Sequence, residues 1–109
     1  MLESLFNSAS KEKVLLYVAA REEGYAREIA KYFETELSPI QNQLNKLESG
    51  GILVSKSVGK TKVFSFNLRN PFYCELVNLL KKAIEFLPEK EKNDLIIYRK
   101  RPRRTGKPL

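Results

Sequence analysis

Ser38-Pro39-Ile40-Gln41-Asn42-Gln43-Leu44-Asn45-Lys46-Leu47-Glu48-Ser49-Gly50-Gly51-Ile52-Leu53 is the stretch on which the fold turns. Serine caps free helix amides, proline fits the first helical position, and a glutamine three residues after the cap closes a capping box. Ser38, Pro39 and Gln41 are placed for these jobs. Ile40, Leu44 and Leu47 then recur on one face, and Gly50-Gly51 supplies the stop. The spacing predicts a helix over 38–49. Its opposite face carries Gln41, Asn42, Asn45, Lys46 and Ser49.

Upstream, Ala26, Ile29, Ala30 and Phe33 fall at helical spacing and predict a helix over 25–33, with Arg27, Glu28 and Lys31 outward. Residues 34–37 are a connection short enough for a helix-turn-helix. Downstream, residues 52–57 and 63–68 read as two strands, the second alternating Phe64, Phe66 and Leu68 with Ser65 and Asn67. Residues 58–62 join them, with Gly59 permitting the turn and Lys56, Lys60 and Lys62 expected around the tip.

Both ends of the segment 1–90 are helical in pattern. Leu2, Leu5 and Phe6 suggest a short helix. Ser8 or Ser10 caps the next one, whose middle, residues 14–20, is apolar on every side and ends at Gly24. The last helix spans about 70–87 and stops before Pro88. It carries two adjacent apolar stripes: Phe72, Leu76, Leu79, Ala83 and Phe86, then Tyr73, Val77, Leu80, Ile84 and Leu87. That arc exceeds the roughly 100° needed for one-sided docking, and the simplest partner for the excess is a second copy of the chain. A homodimer is expected, held by Leu5, Phe6, Phe72, Tyr73, Leu76, Leu80, Ile84 and Leu87. Residues 91–109 read as a basic tail behind a domain of residues 1–90.

The formal charge of +7 is unevenly spread. Residues 1–50 hold six Lys/Arg and eight Asp/Glu (6 − 8 = −2), residues 51–90 seven and three (+4), residues 91–109 seven and two (+5). Such asymmetry suits a polyanion partner at the hairpin, last helix and tail. The only cysteine is Cys74, for which burial is the ordinary expectation, and a reducing compartment fits. No run of 18 apolar residues occurs and the first residues lack a secretory pattern, so a cytoplasmic protein without a membrane span is expected. Without histidine, a glycine-rich phosphate loop, a nucleophile elbow or a metal-ligand cluster, the sequence offers no catalytic site, and no cofactor is expected.

A helix with an apolar back and an amide-rich front suits the DNA major groove. Asn42 and Asn45 are candidates to pair with adenine, helped by Gln41 and Gln43, with Ser38 and Lys46 on phosphate. Lys56, Lys60 and Lys62 are candidates for backbone or minor-groove contacts, and Arg99, Arg101, Arg103 and Arg104 for an arm along double-stranded DNA.

From about Leu5 to Leu87 this order of elements resembles the winged helix-turn-helix domain, most closely the ArsR-like transcriptional regulators. The likeness is carried by residues 38–53, above all Leu44-x-x-Leu47 and Gly50-Gly51-Ile52-Leu53, by the Gly59-Lys60 tip and by Phe64. It implies a mostly α fold with a small β-hairpin: three-helix core, wing, and long C-terminal dimerisation helix. It also implies a DNA-binding homodimer, most often a repressor. ArsR metal sensors bind metal through cysteines in the helix before the recognition helix, or through Asp/His pairs in the terminal helix. Residues 25–33 lack cysteine and the chain lacks histidine, so no metal site is expected. The recognition helix also lacks arginine, and Glu34 and Glu36 in the turn would repel phosphate. Those acids suit a protein-docking module, the alternative reading.

Overall fold

An unbroken apolar run must find cover on all sides, and that sets the architecture. The computed structural model describes residues 2–97. In order they form α1 (Glu3–Phe6), α2 (Ala9–Arg21), α3 (Ala26–Phe33), α4 (Leu37–Ser49), β1 (Leu53–Val58), β2 (Thr61–Phe66), α5 (Tyr73–Glu85) and α6 (Glu89–Ile97). Residues 14–20 make the middle of α2, and all are buried beneath the other helices and the base of the hairpin. Ser8 caps α2, its Oγ accepting the Lys11 amide at 3.0 Å. The buried Glu12 accepts the Leu2 amide at 2.7 Å and holds α1 in place.

The first three helices stop without glycine. Asn7, Glu22 and Glu34 take the left-handed conformation instead, at φ 59°, 76° and 56°. Gly24 is therefore not the stop of α2. It makes an isolated antiparallel bridge to Phe64, its N–H donating at 3.0 Å and its carbonyl accepting at 2.8 Å. A Cβ there would lie 2.9 Å from Cε1 of the buried Tyr17, so only glycine allows this approach.

α4 begins one residue before expectation. Leu37 is half-buried against the core and is the first helical residue, with Glu36 as N-cap. Ser38 is then the second helical residue, no side-chain cap bond forms, and the expected capping box is absent. Pro39 is tolerated as the third, because its missing N–H is among those that have no partner in a helix anyway. The other end follows expectation: Gly51 has φ +81°, and the Ile52 N–H donates to the Leu47 carbonyl at 2.9 Å. Asn67 and Asn70 both donate from Nδ2 to the Gly51 carbonyl, at 2.9 and 3.0 Å, which ties the turn after the hairpin to its start.

The hairpin is tighter than the expected five-residue connection. Val58 pairs with Thr61, leaving Gly59-Lys60 as a two-residue tip. Gly59 at φ +66° supplies the positive dihedral that primed hairpin turns require, and the extra rungs pair backbone groups that a longer loop would leave to water.

α5 turns parts of both stripes inward. Leu80, Ala83 and Ile84 are buried, and Leu76 and Leu87 pack half-buried beside them. Leu80 and Ile84, expected to meet a second copy, are thus taken up by the chain's own core. The surface left over is carried by Phe72, Leu79 and Phe86, which are 68%, 37% and 70% exposed. Tyr73 stands edge-on to Phe66, ring centres 6.1 Å apart. Cys74 is exposed, not buried.

Residues 91–97, expected in the tail, instead belong to α6, and Leu95 is buried. Arg21 makes the connection. Its guanidinium is buried 4.5 and 4.6 Å from the ring centres of Tyr17 and Tyr32. It donates to Tyr17 Oη at 2.6 Å, and at 3.3 and 3.4 Å to the carbonyls of Asp94 and Leu95 near the end of α6. Arg99, Arg101, Arg103 and Arg104 lie outside the described residues.

Candidate nucleic-acid interface

Ile40, Leu44 and Leu47 anchor α4 to the core, and helical geometry leaves the opposite face outward. Ser38, Gln41, Asn42, Asn45, Lys46 and Ser49 are positioned on or beside that face, and Gln41, Asn42, Asn45 and Lys46 are exposed. Gln43 departs from the expected set. It is half-buried on the flank of the helix, and its Oε1 is buried without a hydrogen-bond partner. It does not share the outward face.

Between α3, α4 and the hairpin runs a cleft of about 390 Å³, lined by Tyr25, Arg27, Gln41, Asn45, Lys60 and Lys62 among others. Two amide side chains of α4 therefore face three cations across a space open to solvent. That arrangement is suited to an anionic, hydrogen-bonding ligand. Arg27 and Tyr25 were not singled out by sequence reasoning beyond the outward direction of Arg27. Their signal was position: both stand at the start of the first helix of the helix-turn-helix, on the wing side.

The three wing lysines do not cluster. Side chains alternate along a strand, and Ser55 pairs with Phe64 while Lys56 pairs with Val63. Lys62 therefore shares the inner face with Phe64 and Ser55, toward α4. Lys56 is on the outer face and Lys60 at the tip.

Lys62 is also engaged. Its Nζ lies 3.1 Å from Glu48 Oε1 and 5.3 Å from the centre of the Phe64 ring. The Ser55 hydroxyl donates to the other oxygen of Glu48. This hydrogen bond first, then the ammonium, holds the Glu48 carboxyl below the usual carboxylate range. Glu34 and Glu36 stand at the far end of α4 from this contact.

A three-helix core, a helix-turn-helix and a β-hairpin laid beside its second helix make this a winged helix-turn-helix fold. Solved structures similar to it are winged-helix transcriptional regulators. One is the antimony-specific transcriptional repressor AntR (18% identity, TM-score 0.59, 77% of this chain and 74% of that one). Another is YusO from Bacillus subtilis (21%, 0.58, 89% and 77%). A third is a MepR variant from S. aureus bound to an oligodeoxyribonucleotide (17%, 0.54, 89% and 78%). No family model matches the chain, and no curated protein matches it.

Proposed function

We propose that this chain is a DNA-binding transcriptional regulator, acting as a repressor. α4 enters the major groove, where Asn42 and Asn45 read adenine with help from Gln41. Ser38 and Lys46 meet phosphate, Lys60 and Lys62 hold the backbone or minor groove beside the wing, and Lys56 reaches phosphate from the outer face. The observation that carries this reading is the exposed amide face of α4 across a cleft from Arg27, Lys60 and Lys62. The oligodeoxyribonucleotide bound to the MepR variant, on a fold of this kind, supports it. The antimony specificity of AntR is not carried over, since this chain has one cysteine and no histidine. We place its action in the cytoplasm.

The protein works as a homodimer on the exposed ridge of α5. Phe72, Leu79 and Phe86 are spaced seven apart, so the ridge is symmetric about Leu79. In a two-fold antiparallel pairing about Leu79, Phe72 meets Phe86 of the partner subunit. The described residues of α1 add Leu5, 63% exposed. Arg99, Arg101, Arg103 and Arg104 follow the flanking minor groove.

A gel shift with mixed genomic fragments tests the reading. A repressor retains a discrete set of fragments and releases them as salt rises. No retention at low salt would favour a protein-docking module, in keeping with the acids Glu34 and Glu36 in the turn.

A further inference from the structure

One carboxylate joins the reading helix to both strands of the wing. Glu48 stands in the last turn of α4, accepts from Ser55 of β1 and pairs with Lys62 of β2 at 3.1 Å. An isolated two-stranded hairpin is marginal in water. At its base this one is held by the buried Phe64 and its bridge to Gly24, but residues 56–60 are exposed. The Glu48 contact starts at the Phe64 rung, where Ser55 pairs with Phe64, and reaches Lys62 two residues nearer the exposed tip.

We infer that Glu48 is a positioning residue for DNA binding. It locks the wing to α4, so that Lys60 and Lys62 keep their place across the cleft from Gln41 and Asn45. A single DNA segment then meets groove reader and wing without first ordering one against the other, which lowers the entropic cost of binding. The inference rests on the DNA-binding reading above. Its sign sets it apart from charge alone. An acid beside a phosphate-binding face repels phosphate, so by Coulomb's law its removal tightens binding. By positioning, its removal weakens binding.

The test compares wild type, Glu48→Gln and Glu48→Ala by amide hydrogen exchange of the free protein and by titration with a DNA fragment that wild type retains. In Glu48→Ala, exchange at residues 56–62 should rise about tenfold, with α2 unchanged. The dissociation constant should rise about five- to tenfold, the order expected when one ordinary hydrogen bond is removed. Glu48→Gln keeps an acceptor for Ser55 and nearly the same shape, and should fall between the two. Unchanged wing exchange in Glu48→Ala would overturn the lock whatever the DNA result. Faster wing exchange with equal or tighter DNA binding would overturn the positioning role. Failure of wild type to retain any fragment would instead remove the DNA-binding reading, and the exchange data would still decide whether Glu48 holds the wing.

Discussion

At Gly24 the absence of one methyl group lets the hairpin reach the core. The Tyr17 ring that an added Cβ would strike is buried and held by Arg21, so it has little room to yield. Gly24→Ala should lower stability by about 1–3 kcal/mol, the usual cost of overpacking, as read by denaturant unfolding. A neutral result would mean that the ring moves freely. Tyr17 itself gives a pH expectation. Burial first, then the Glu28 carboxylate, raises its hydroxyl above the ordinary value of 10.0. A raised folded-state value stabilises below the unfolded one and loses that contribution as pH climbs past it. Stability should therefore hold to about pH 10 and fall above it, and Tyr17→Phe should flatten that fall. The residue scale is also where the sequence was least legible. The exposed row of Gln41, Asn42, Asn45 and Lys46 followed from a 3.6-residue period. The contacts of Arg21 with residues 94 and 95, and of Glu48 with Ser55 and Lys62, join points that no local pattern relates.

Elements were easier to foresee than their ends. The α4 helix, the hairpin after it and the buried α2 were all readable from periodicity, because each has a face that must be covered. Their limits were less readable because three helices end on Asn or Glu in a conformation usually signalled by glycine. α6 was hidden in a charged segment. Only Leu95 and its neighbours marked it, and the arginine that receives its end lies 74 residues earlier in sequence. The pairing of α4 with the wing has its own pH signature. The Glu48 carboxyl lies below its ordinary value of 4.5, so its contribution is complete above that pH and is lost as pH falls through the lower folded-state value. Resonances of Ser55 and Lys62 should therefore stay fixed from neutrality down to about pH 4.5 and move only below it. Movement centred above that pH would contradict the contact.

Across the whole molecule, charge and apolar surface suit the two partners proposed above, DNA and a second copy. The dimer tests itself on the residues that the core leaves free. Phe72→Ser with Phe86→Ser should give a folded monomer whose melting temperature no longer depends on protein concentration, since both side chains are mostly exposed in the single chain. Leu80→Glu would instead unfold the protein, because Leu80 is fully buried. Wild-type protein that sediments as a monomer at micromolar concentration would remove the dimer. The basic end is tested by salt. Deleting residues 99–109 should flatten the slope of log affinity against log salt by about 0.9 for every phosphate that the arm had neutralised, and an unchanged slope would leave it without a role on DNA.

The central claim is that α4 reads bases, and Asn42 is its most direct probe, exposed on the outward face of the helix. The measurement is the affinity of wild type and Asn42→Ala for a selected fragment and for random DNA at one salt concentration. The account predicts a loss of about 1–3 kcal/mol on the selected fragment and much less on random DNA. Equal losses on both would contradict it, because Asn42 would then be contributing affinity without reading sequence.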